Sequence, residues 1–382
     1  MEKVYLDHAA TTPIVNEVVK AMQPYFSEKF GNASSLHLWG REAKIALDIS
    51  RERIAKFIGV KEEEIIFTSG GTESNNLAIK GLAFSHSKGS HIITSKIEHH
   101  AIIEPCEWLE KQGYKVTYLD VDQYGMVNPK DVEKAITKKT ILVSIMHANN
   151  EIGTIQPIEE IGKICKKHNV LFHTDAVQSF GKIPINVKKM NIDLLSTSAH
   201  KIYGPKGVGF LYIKKGIKLT PIAHGGGHEQ GIRSGTENIA GIVGFAKAIE
   251  LAKKKMFFDN LHLKAMQKKL IAGISRIGGS KLNGHPTQRL TNNVHFSFSG
   301  IEGESLVVLL DMAGIGASTG SACSTKSLKP SHVLTACGLS PETAHGSLRL
   351  TLGRENTMQQ VDYALKKIPE VVANLRKISP LK

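Results

Sequence analysis

Lys201 is the residue of this sequence best placed to act as a nucleophile. It follows an apolar run at residues 192–197, which is typical of a short buried strand, and it precedes the turn-forming residues 204–207. A lysine held at a strand end can lose water from its amine, which lowers the pKa and makes the amine nucleophilic. Most single lysines in such a position are simply solvated, so the interpretation depends on the other polar residues that reach the same place.

Polar residues follow the predicted strands at their carboxyl ends, where parallel sheets bind ligands. They are residues 70–72 after strand 65–68, 98–100 after strand 91–95, 147–151 after strand 141–146, Asp175 and Gln178 after strand 170–174, and Ser198, His200 and Lys201 after strand 192–197. Random placement would put about half of these groups at the other edge of the sheet. Their convergence predicts a functional site.

These residue types fit a phosphorylated heterocyclic aldehyde. Gly71 and Thr72 open a predicted helix, whose free N–H groups and positive dipole end suit a phosphate. Ser198, His200 and Thr236 could add donors to the same anion. Asp175 at a buried strand end needs a cation, and a protonated ring nitrogen would be one. With Lys201 as the amine, the combination predicts pyridoxal phosphate, which requires a Schiff-base lysine and an acidic or arginine partner at its ring nitrogen.

The arrangement of predicted elements places this site in an α/β fold. Strands alternate with helices at about 102–111, 129–136 and 158–167, which predicts a mostly parallel sheet covered by helices on both faces. After about residue 253 the pattern changes to a lysine-rich helix, strands at 293–298 and 347–352, and a last helix at about 356–376. We therefore expect a large domain at residues 13–255 and a small α+β domain formed by residues 1–12 and 256–382.

Composition limits the class of protein. The 382 residues are 41% hydrophobic and 22% charged, with a formal net charge of +14 that favours anionic partners. The lysines come as scattered pairs rather than as a stripe interleaved with aromatic residues, so direct nucleic-acid binding is a weak hypothesis. No segment is apolar for long enough to cross a bilayer, and residues 1–7 lack a signal-peptide pattern. The four cysteines form no CxxC pair, and we expect a cytoplasmic protein.

The motifs of the chain resemble those of one enzyme family. They lie at residues 68–75, 147–153, 198–207, 225–236 and 318–324, which is the family's order and spans almost the whole chain. The sequence is similar to cysteine desulfurases of the NifS/IscS type, in the class V aminotransferase group of fold-type I pyridoxal-phosphate enzymes. The resemblance implies that fold, with a seven-stranded type of sheet, and L-cysteine as the substrate.

The resemblance also implies roles for individual residues. Lys201 forms the Schiff base and moves protons, His99 stacks on the cofactor ring, and Asp175 keeps the ring nitrogen protonated. The remaining cofactor and substrate contacts are Gln178 to the ring hydroxyl, Asn150 beside the ring or substrate, Gly71, Thr72, Ser198 and His200 at the phosphate, Thr236 reaching in from a second subunit, and Arg349 on the substrate carboxylate. Gly71 stands where many relatives have alanine, and we expect no effect since a backbone N–H makes the contact.

Cys323 carries the step that distinguishes this family. It lies among small polar residues at 318–327, as in a loop, whereas Cys165 and Cys337 have apolar or helical neighbours. The resemblance implies that Cys323 takes up the sulfur as a persulfide and passes it to acceptors for iron–sulfur cluster assembly or tRNA thiolation. It further implies a homodimer, docking to an iron–sulfur scaffold protein, and a transient [2Fe–2S] cluster for which Cys323 could be a shared ligand.

Other functions remain open. Selenocysteine lyase activity would use almost the same residues, and another class V aminotransferase would keep Lys201 and Asp175 without needing a loop cysteine. A metal-dependent hydrolase could be argued from the 17 histidines, but the sequence has no HExxH motif or comparable ligand spacing. A nucleic-acid binder would be colourless, whereas a pyridoxal-phosphate enzyme should be yellow.

Overall fold

The structure, a computed structural model, describes residues 2–320 and 330–379. Its largest sheet has seven strands in the order β2-β8-β7-β6-β5-β3-β4. All neighbouring strands are parallel except for the two pairs that involve β8. The strands are β2 (Ile65–Thr68), β3 (His91–Ser95), β4 (Lys115–Leu119), β5 (Thr140–Ser144), β6 (Leu171–Asp175), β7 (Leu194–Ser196) and β8 (Gly209–Ile213). The predicted α/β class with a mostly parallel sheet is confirmed.

Helices cover both faces of this sheet because its central strands are apolar on both sides. Phe210 and Leu211 are neighbours in β8 but belong to different hydrophobic cores, since successive strand residues point to opposite faces. The helices of this part are α1 (Asn16–Met22), α2 (Pro24–Ser27), α3 (Leu38–Ile58), α4 (Gly71–Phe84), α5 (His100–Lys111), α6 (Pro129–Ala135) and α7 (Ile158–Lys167). Residues of α3 and α7 line the first core, and residues of α4 and α5 line the second.

A separate hydrophobic core lies in the C-terminal part of the chain. A three-stranded antiparallel sheet in the order β12-β10-β9 packs there against helices, and Val4 and Leu6 from the N-terminus belong to the same core. A two-residue strand, β1 (Val4–Tyr5), pairs with β11 (Ile315–Gly316). The other elements are β9 (Ser280–Leu282), β10 (Asn293–Phe298), α9 (Gly303–Met312), α10 (His332–Ala336), α11 (Pro341–His345), β12 (Ser347–Thr351) and α12 (Met358–Ile378).

One long helix, α8 (Ile239–Ile274), connects the two parts. The sequence change near residue 253 predicted a new helix there, but the helix is continuous through that point. Its first half is rich in alanine, isoleucine and glycine and is buried, while its lysine-rich second half is more exposed. The domain boundary expected at residue 255 therefore falls within a helix, and the division into two domains remains a prediction.

Within residues 2–320 and 330–379, no helix has the length and apolar character needed to span a bilayer.

Candidate active site

The carboxyl-end edge of the large sheet borders a pocket of about 300 Å³. The pocket brings together most of the residues predicted from the sequence, although they are spread over almost 280 positions of the chain. Its lining includes Gly71, Thr72, His99, Asn150, Asp175, Gln178, Ser198, His200, Lys201 and Arg349. Thr236 is exposed and does not line this pocket within the single chain, and Cys323 lies outside the described residues.

Lys201 enters the pocket from a single helical turn, Ala199–Lys201, that follows β7. Its Nζ donates hydrogen bonds to the carbonyl oxygens of Ala9, at 2.6 Å, and Ala10, at 2.7 Å. Just after the turn, Tyr203 has a left-handed φ of 67°, and its N–H donates to the Thr12 hydroxyl. A non-glycine residue in this conformation is strained and is often found near functional sites. The N-terminal residues thus form the wall against which the lysine lies.

Asp175 ends β6 and is the only carboxylate of the pocket lining. Its Oδ2 accepts a 2.7 Å hydrogen bond from the Asn75 side chain on α4, and its Oδ1 accepts one of 2.9 Å from the Val177 N–H. Two donors hold this buried carboxylate in place. It can therefore serve as the partner of a cationic ring nitrogen. The sequence analysis missed Asn75, although it lies one helical turn after Gly71, on the side of α4 that faces the sheet.

The start of α4 provides the anion-binding end of the pocket. The helix has 14 residues and begins at Gly71 after Gly70, whose φ of 149° favours glycine. Its first N–H groups have no partners within the helix, and Ser198 and His200 line the same pocket. Burial and the neighbouring Lys201 lower the pKa of His200 to about 4, so this histidine is neutral at pH 7. Its contribution to a phosphate would be a hydrogen bond rather than a charge.

Gly71 also fits tightly against the wall of the pocket. A Cβ atom built on it would lie 2.6 Å from Cγ2 of Val177, closer than two carbon atoms normally approach. Glycine is therefore the residue that fits at position 71 beside this valine.

His99 caps the start of α5 and lies in the pocket. Its Nδ1 accepts a 3.0 Å hydrogen bond from the Ala101 N–H, so the ring proton belongs on Nε2. Burial lowers the pKa of His99, although the nearby Asp175 opposes this effect. A neutral ring is suited to stacking on a flat ligand and to donating from Nε2. Directly before it, burial raises the pKa of Glu98 to about 8.

Gln178 is held from both ends of its side-chain amide. Its Nε2 donates to the Ala9 carbonyl at 2.9 Å, and its Oε1 accepts from Lys182 Nζ at 3.3 Å. Burial, together with the positive charge of Lys201, lowers the pKa of Lys182 to about 7. Lys182 is not among the residues predicted from the sequence, since a lone lysine after a glycine is usually a surface residue.

Arg349 on β12 closes the pocket from the C-terminal part of the chain. Its Nη2 forms an ion pair with Asp7 Oδ1 at 2.9 Å, and its Nη1 donates to the Asn150 carbonyl at 3.1 Å. A guanidinium in this position is suited to a ligand carboxylate.

The described residues contain no group of three or more His, Cys, Asp or Glu side chains arranged to hold a metal ion. The predicted shared iron–sulfur ligand, Cys323, lies outside them, and its role as a ligand stays a prediction.

The fold and this pocket together define a fold-type I pyridoxal-phosphate enzyme. Residues 4–364 match the family described as "Aminotransferase class-V". The chain is 58% identical to the cysteine desulfurase IscS of Methanosarcina thermophila over 379 residues, which cover 99% of this chain and 94% of that protein.

Solved structures agree with the sequence comparison. A NifS-like protein is 42% identical, with a TM-score of 0.92 over 98% of this chain and 100% of its own. A structure described as SspA in complex with cysteine is 40% identical, with a TM-score of 0.82 over 93% of this chain and 100% of its own. The chain therefore belongs to the class V aminotransferase family and, within it, to the cysteine desulfurases of the IscS type, which confirms the resemblance found in the sequence.

Proposed function

We propose that the protein is a pyridoxal-phosphate-dependent cysteine desulfurase, which converts L-cysteine to L-alanine and transfers the sulfur to Cys323 as a persulfide. The observation that supports this most strongly is that Lys201, Asp175 and Arg349 line one pocket. They provide an amine, a carboxylate and a guanidinium, which match an aldehyde, a ring nitrogen and a substrate carboxylate. The relatives named cysteine desulfurase, which align over nearly the whole chain, support the same reaction.

The residues of the pocket fit pyridoxal phosphate. The start of α4 with Ser198 and His200 would hold the phosphate, Asp175 the ring nitrogen, and Gln178 the ring hydroxyl. His99 would stack on the ring, and Lys201 would be the point of covalent attachment. The chemistry that the bound cofactor supplies is an electron sink, which stabilises negative charge on the substrate carbon.

The protein's own groups would bind the substrate and move its protons. Arg349 and Asn150 would hold the carboxylate end of L-cysteine, so that the substrate enters in one orientation. Lys201 Nζ would take a proton from the substrate and return one to the alanine fragment. His99, neutral and with its proton on Nε2, would be the second proton donor.

Cys323 would be the sulfur acceptor in this proposal. In the sequence it follows Gly320 by three residues. The Gly320 N–H donates to the hydroxyl of Ser347, which lies on β12 two residues before Arg349. Attack of the Cys323 thiolate on the substrate sulfur would form an S–S bond as the substrate's C–S bond breaks. The electron pair of the broken bond would stay with the alanine fragment, which then takes up a proton.

The experiment that tests the proposal is an absorbance spectrum of the purified protein, followed by assays of sulfide and alanine after L-cysteine and a thiol reductant, which releases the persulfide sulfur as sulfide, are added. We expect a visible band that Lys201→Ala abolishes, and sulfide release that Cys323→Ala abolishes while the band persists. Lys206→Ala, a lysine of the turn that follows, is the control and should leave both unchanged. No band after addition of pyridoxal phosphate would contradict the whole proposal.

The same assay separates the related functions. A band with no sulfide would favour another class V aminotransferase, and sulfide release independent of Cys323 would contradict the persulfide step. Selenocysteine as the substrate tests for lyase activity.

We also propose that the enzyme works as a homodimer. Several large apolar side chains on and before α3 are exposed in the single chain, among them Leu36, which is 91% exposed. The others in this region are Phe26, Phe30, Leu38, Trp39, Ile45 and Ile49. Monomeric proteins rarely expose so many together, and a second copy would cover them and bring its Thr236 to the pocket. Light scattering should give a dimer, and Trp39→Glu should weaken it.

The proposal also includes the proteins that accept the sulfur and the compartment in which the enzyme works. The persulfide of Cys323 would pass its sulfur to an iron–sulfur scaffold protein or to another acceptor, such as a tRNA-thiolating enzyme, and Cys323 would be a transient ligand of a [2Fe–2S] cluster. The buried free thiols of Cys106, Cys165 and Cys337 suit a reducing compartment, which supports a cytoplasmic location. Transfer of radiolabelled sulfur from the enzyme to a purified scaffold protein would test the first acceptor.

A further inference from the structure

Asp7 makes the closest contact to the guanidinium of Arg349. Its Oδ1 lies 2.9 Å from Nη2, and the two side chains are only 16% and 5% exposed. Such a pair keeps its geometry because water does not compete for it. The Asn150 carbonyl, 3.1 Å from Nη1, holds the other end of the guanidinium. Two acceptors on different parts of the chain thus fix its orientation.

The Nε–H of the same guanidinium takes part in neither of these contacts. It is buried and has no hydrogen-bond partner among residues 2–320 and 330–379. A buried donor without a partner is costly, and Arg349 lines the pocket. The fold therefore holds this guanidinium at the pocket with one of its donors unused among the described residues.

Asp7 also connects this arginine to neighbouring parts of the site. The Ser318 hydroxyl lies 3.4 Å from Asp7 Oδ2, and the backbone of Ser318 pairs with that of Arg349. Two and three residues after Asp7, the carbonyls of Ala9 and Ala10 accept from Lys201 Nζ. The strand β1 directly before Asp7 is tied to β11. The position of Asp7 is therefore set by the fold rather than by Arg349 alone.

We propose that Asp7 is a positioning residue for substrate binding: its carboxylate oxygen holds the Arg349 guanidinium at the wall of the pocket in a fixed orientation for the carboxylate of the amino-acid substrate. This inference rests on the proposed function, in which Arg349 binds that carboxylate. It assigns a role to the start of the chain, for which the sequence predicted a place in the small domain but no part in the site.

The test compares Asp7→Ala, Asp7→Asn and Arg349→Lys in the holoenzyme. The measurements are KM and kcat for L-cysteine, and the Kd values of L-alanine and L-alaninamide by calorimetry. L-Alaninamide lacks the carboxylate, so it reports binding that does not depend on Arg349. Melting temperature and cofactor content show whether each variant folds.

We expect Asp7→Ala to raise KM for L-cysteine and Kd for L-alanine by about tenfold, with kcat changed by less than about twofold, since a freed arginine must be immobilised by the substrate. Asp7→Asn keeps an acceptor oxygen and removes the competing charge. Its Kd for L-alanine should stay within about threefold of the native value. Binding of L-alaninamide should not change in either variant.

Two results would overturn the inference and leave the proposed function intact. One is that Arg349→Lys weakens L-alanine binding while Asp7→Ala does not. The other is that Asp7→Ala weakens L-alanine and L-alaninamide equally and lowers the melting temperature, which would mark a purely structural role. If Arg349→Lys itself leaves L-alanine binding unchanged, the proposed role of Arg349 fails, and the inference fails with it.

Discussion

The side-chain amide of Asn75 donates a 2.7 Å hydrogen bond to the carboxylate of Asp175, joining α4 to the end of β6 inside the pocket. The contact spans 100 positions of the sequence. Because α4 also begins at Gly71, one helix presents its N-terminus to the pocket and, one turn further on, orients this carboxylate. The distance between these two groups, which are proposed to bind the cofactor, is therefore fixed by a rigid element.

Replacing Asn75 with alanine should weaken cofactor binding without unfolding the protein. The substitution removes one of the two donors to Asp175, and we expect the Kd for pyridoxal phosphate to rise about tenfold. It also removes Asn75 Oδ1, a buried acceptor that has no partner among the described residues, so the melting temperature of the apoenzyme should change little. Fluorescence titration of the apoenzyme with pyridoxal phosphate measures the affinity.

Asn76→Ala is the matched control, since Asn76 is the next residue of α4 and is partly exposed, and since its side chain bonds, among the described residues, only to the Thr72 carbonyl. It should bind the cofactor normally. Asn75→Asp should be worse than alanine, because two carboxylates at this distance cannot both ionise. Equal affinity in Asn75→Ala and the native protein would contradict the role given to this contact.

Gly71→Ala should lower cofactor affinity because the new methyl group would collide with Val177, whose N–H orients Asp175. We expect a rise in Kd of about tenfold or more, since overpacking of this kind displaces the backbone. Val177→Ala removes the colliding methyl groups, so the double variant should recover most of the affinity. The single Val177→Ala variant shows the cost of the smaller side chain alone. A double variant no better than Gly71→Ala would show that the clash is not the cause.

The position of the site at one edge of the sheet could be predicted from the sequence because the strands are nearly all parallel. Each buried run ends in polar residues, and a parallel sheet places those ends side by side. Lys201, Asp175 and His99 lie in one pocket for this reason. The strand β8 is antiparallel, but it contributes no residue to the pocket lining. Its direction therefore does not change which polar residues meet at this edge of the sheet.

Contacts between distant segments could not be predicted in this way. Asp7 reaches Arg349 only because β1 pairs with β11 and the bridge from Asp7 to Thr351 follows, and two residues of strand carry too little pattern to be recognised. Lys182 reaches Gln178 through a turn rather than through a regular element. The length of α8 was missed because composition changes along it while the backbone hydrogen bonding does not.

Lys182→Met should lower activity without lowering stability. The nearby Lys201 and burial bring the pKa of Lys182 to about 7, so the folded state holds this amine at a cost. Without it, the Gln178 oxygen loses its Lys182 donor, and the amide, which is still bonded through Nε2 to the Ala9 carbonyl, is held less firmly in the position that suits a ring hydroxyl. We expect kcat/KM to fall about tenfold, with an unchanged or higher melting temperature. Lys188→Met, at an exposed lysine nearby, should match the native enzyme. A fall in stability together with activity would argue against this account.

Glu98→Gln should flatten the dependence of stability on pH. Burial raises the pKa of Glu98 from its ordinary value of 4.5 to about 8, although the Ser95 hydroxyl and the Met146 N–H bond to the carboxyl group. Between about pH 4.5 and pH 8 the folded protein therefore holds a proton that the unfolded chain has released. Stability must fall as the pH rises through this window, by at most about 1.4 kcal/mol per pH unit for one group.

Glutamine cannot ionise. The drop in melting temperature between about pH 5.5 and about pH 7.5, which lie within that window, should therefore be smaller in Glu98→Gln than in the native protein. Glu104→Gln is the control, because that side chain is 70% exposed and the substitution removes a carboxylate from the surface rather than from the interior. Glu151, whose pKa burial raises to about 7, contributes a second slope of the same sign. The double variant Glu98→Gln/Glu151→Gln should therefore be flatter than either single one. Parallel curves for Glu98→Gln and the native protein would mean that Glu98 is already ionised in the folded state at pH 5.5.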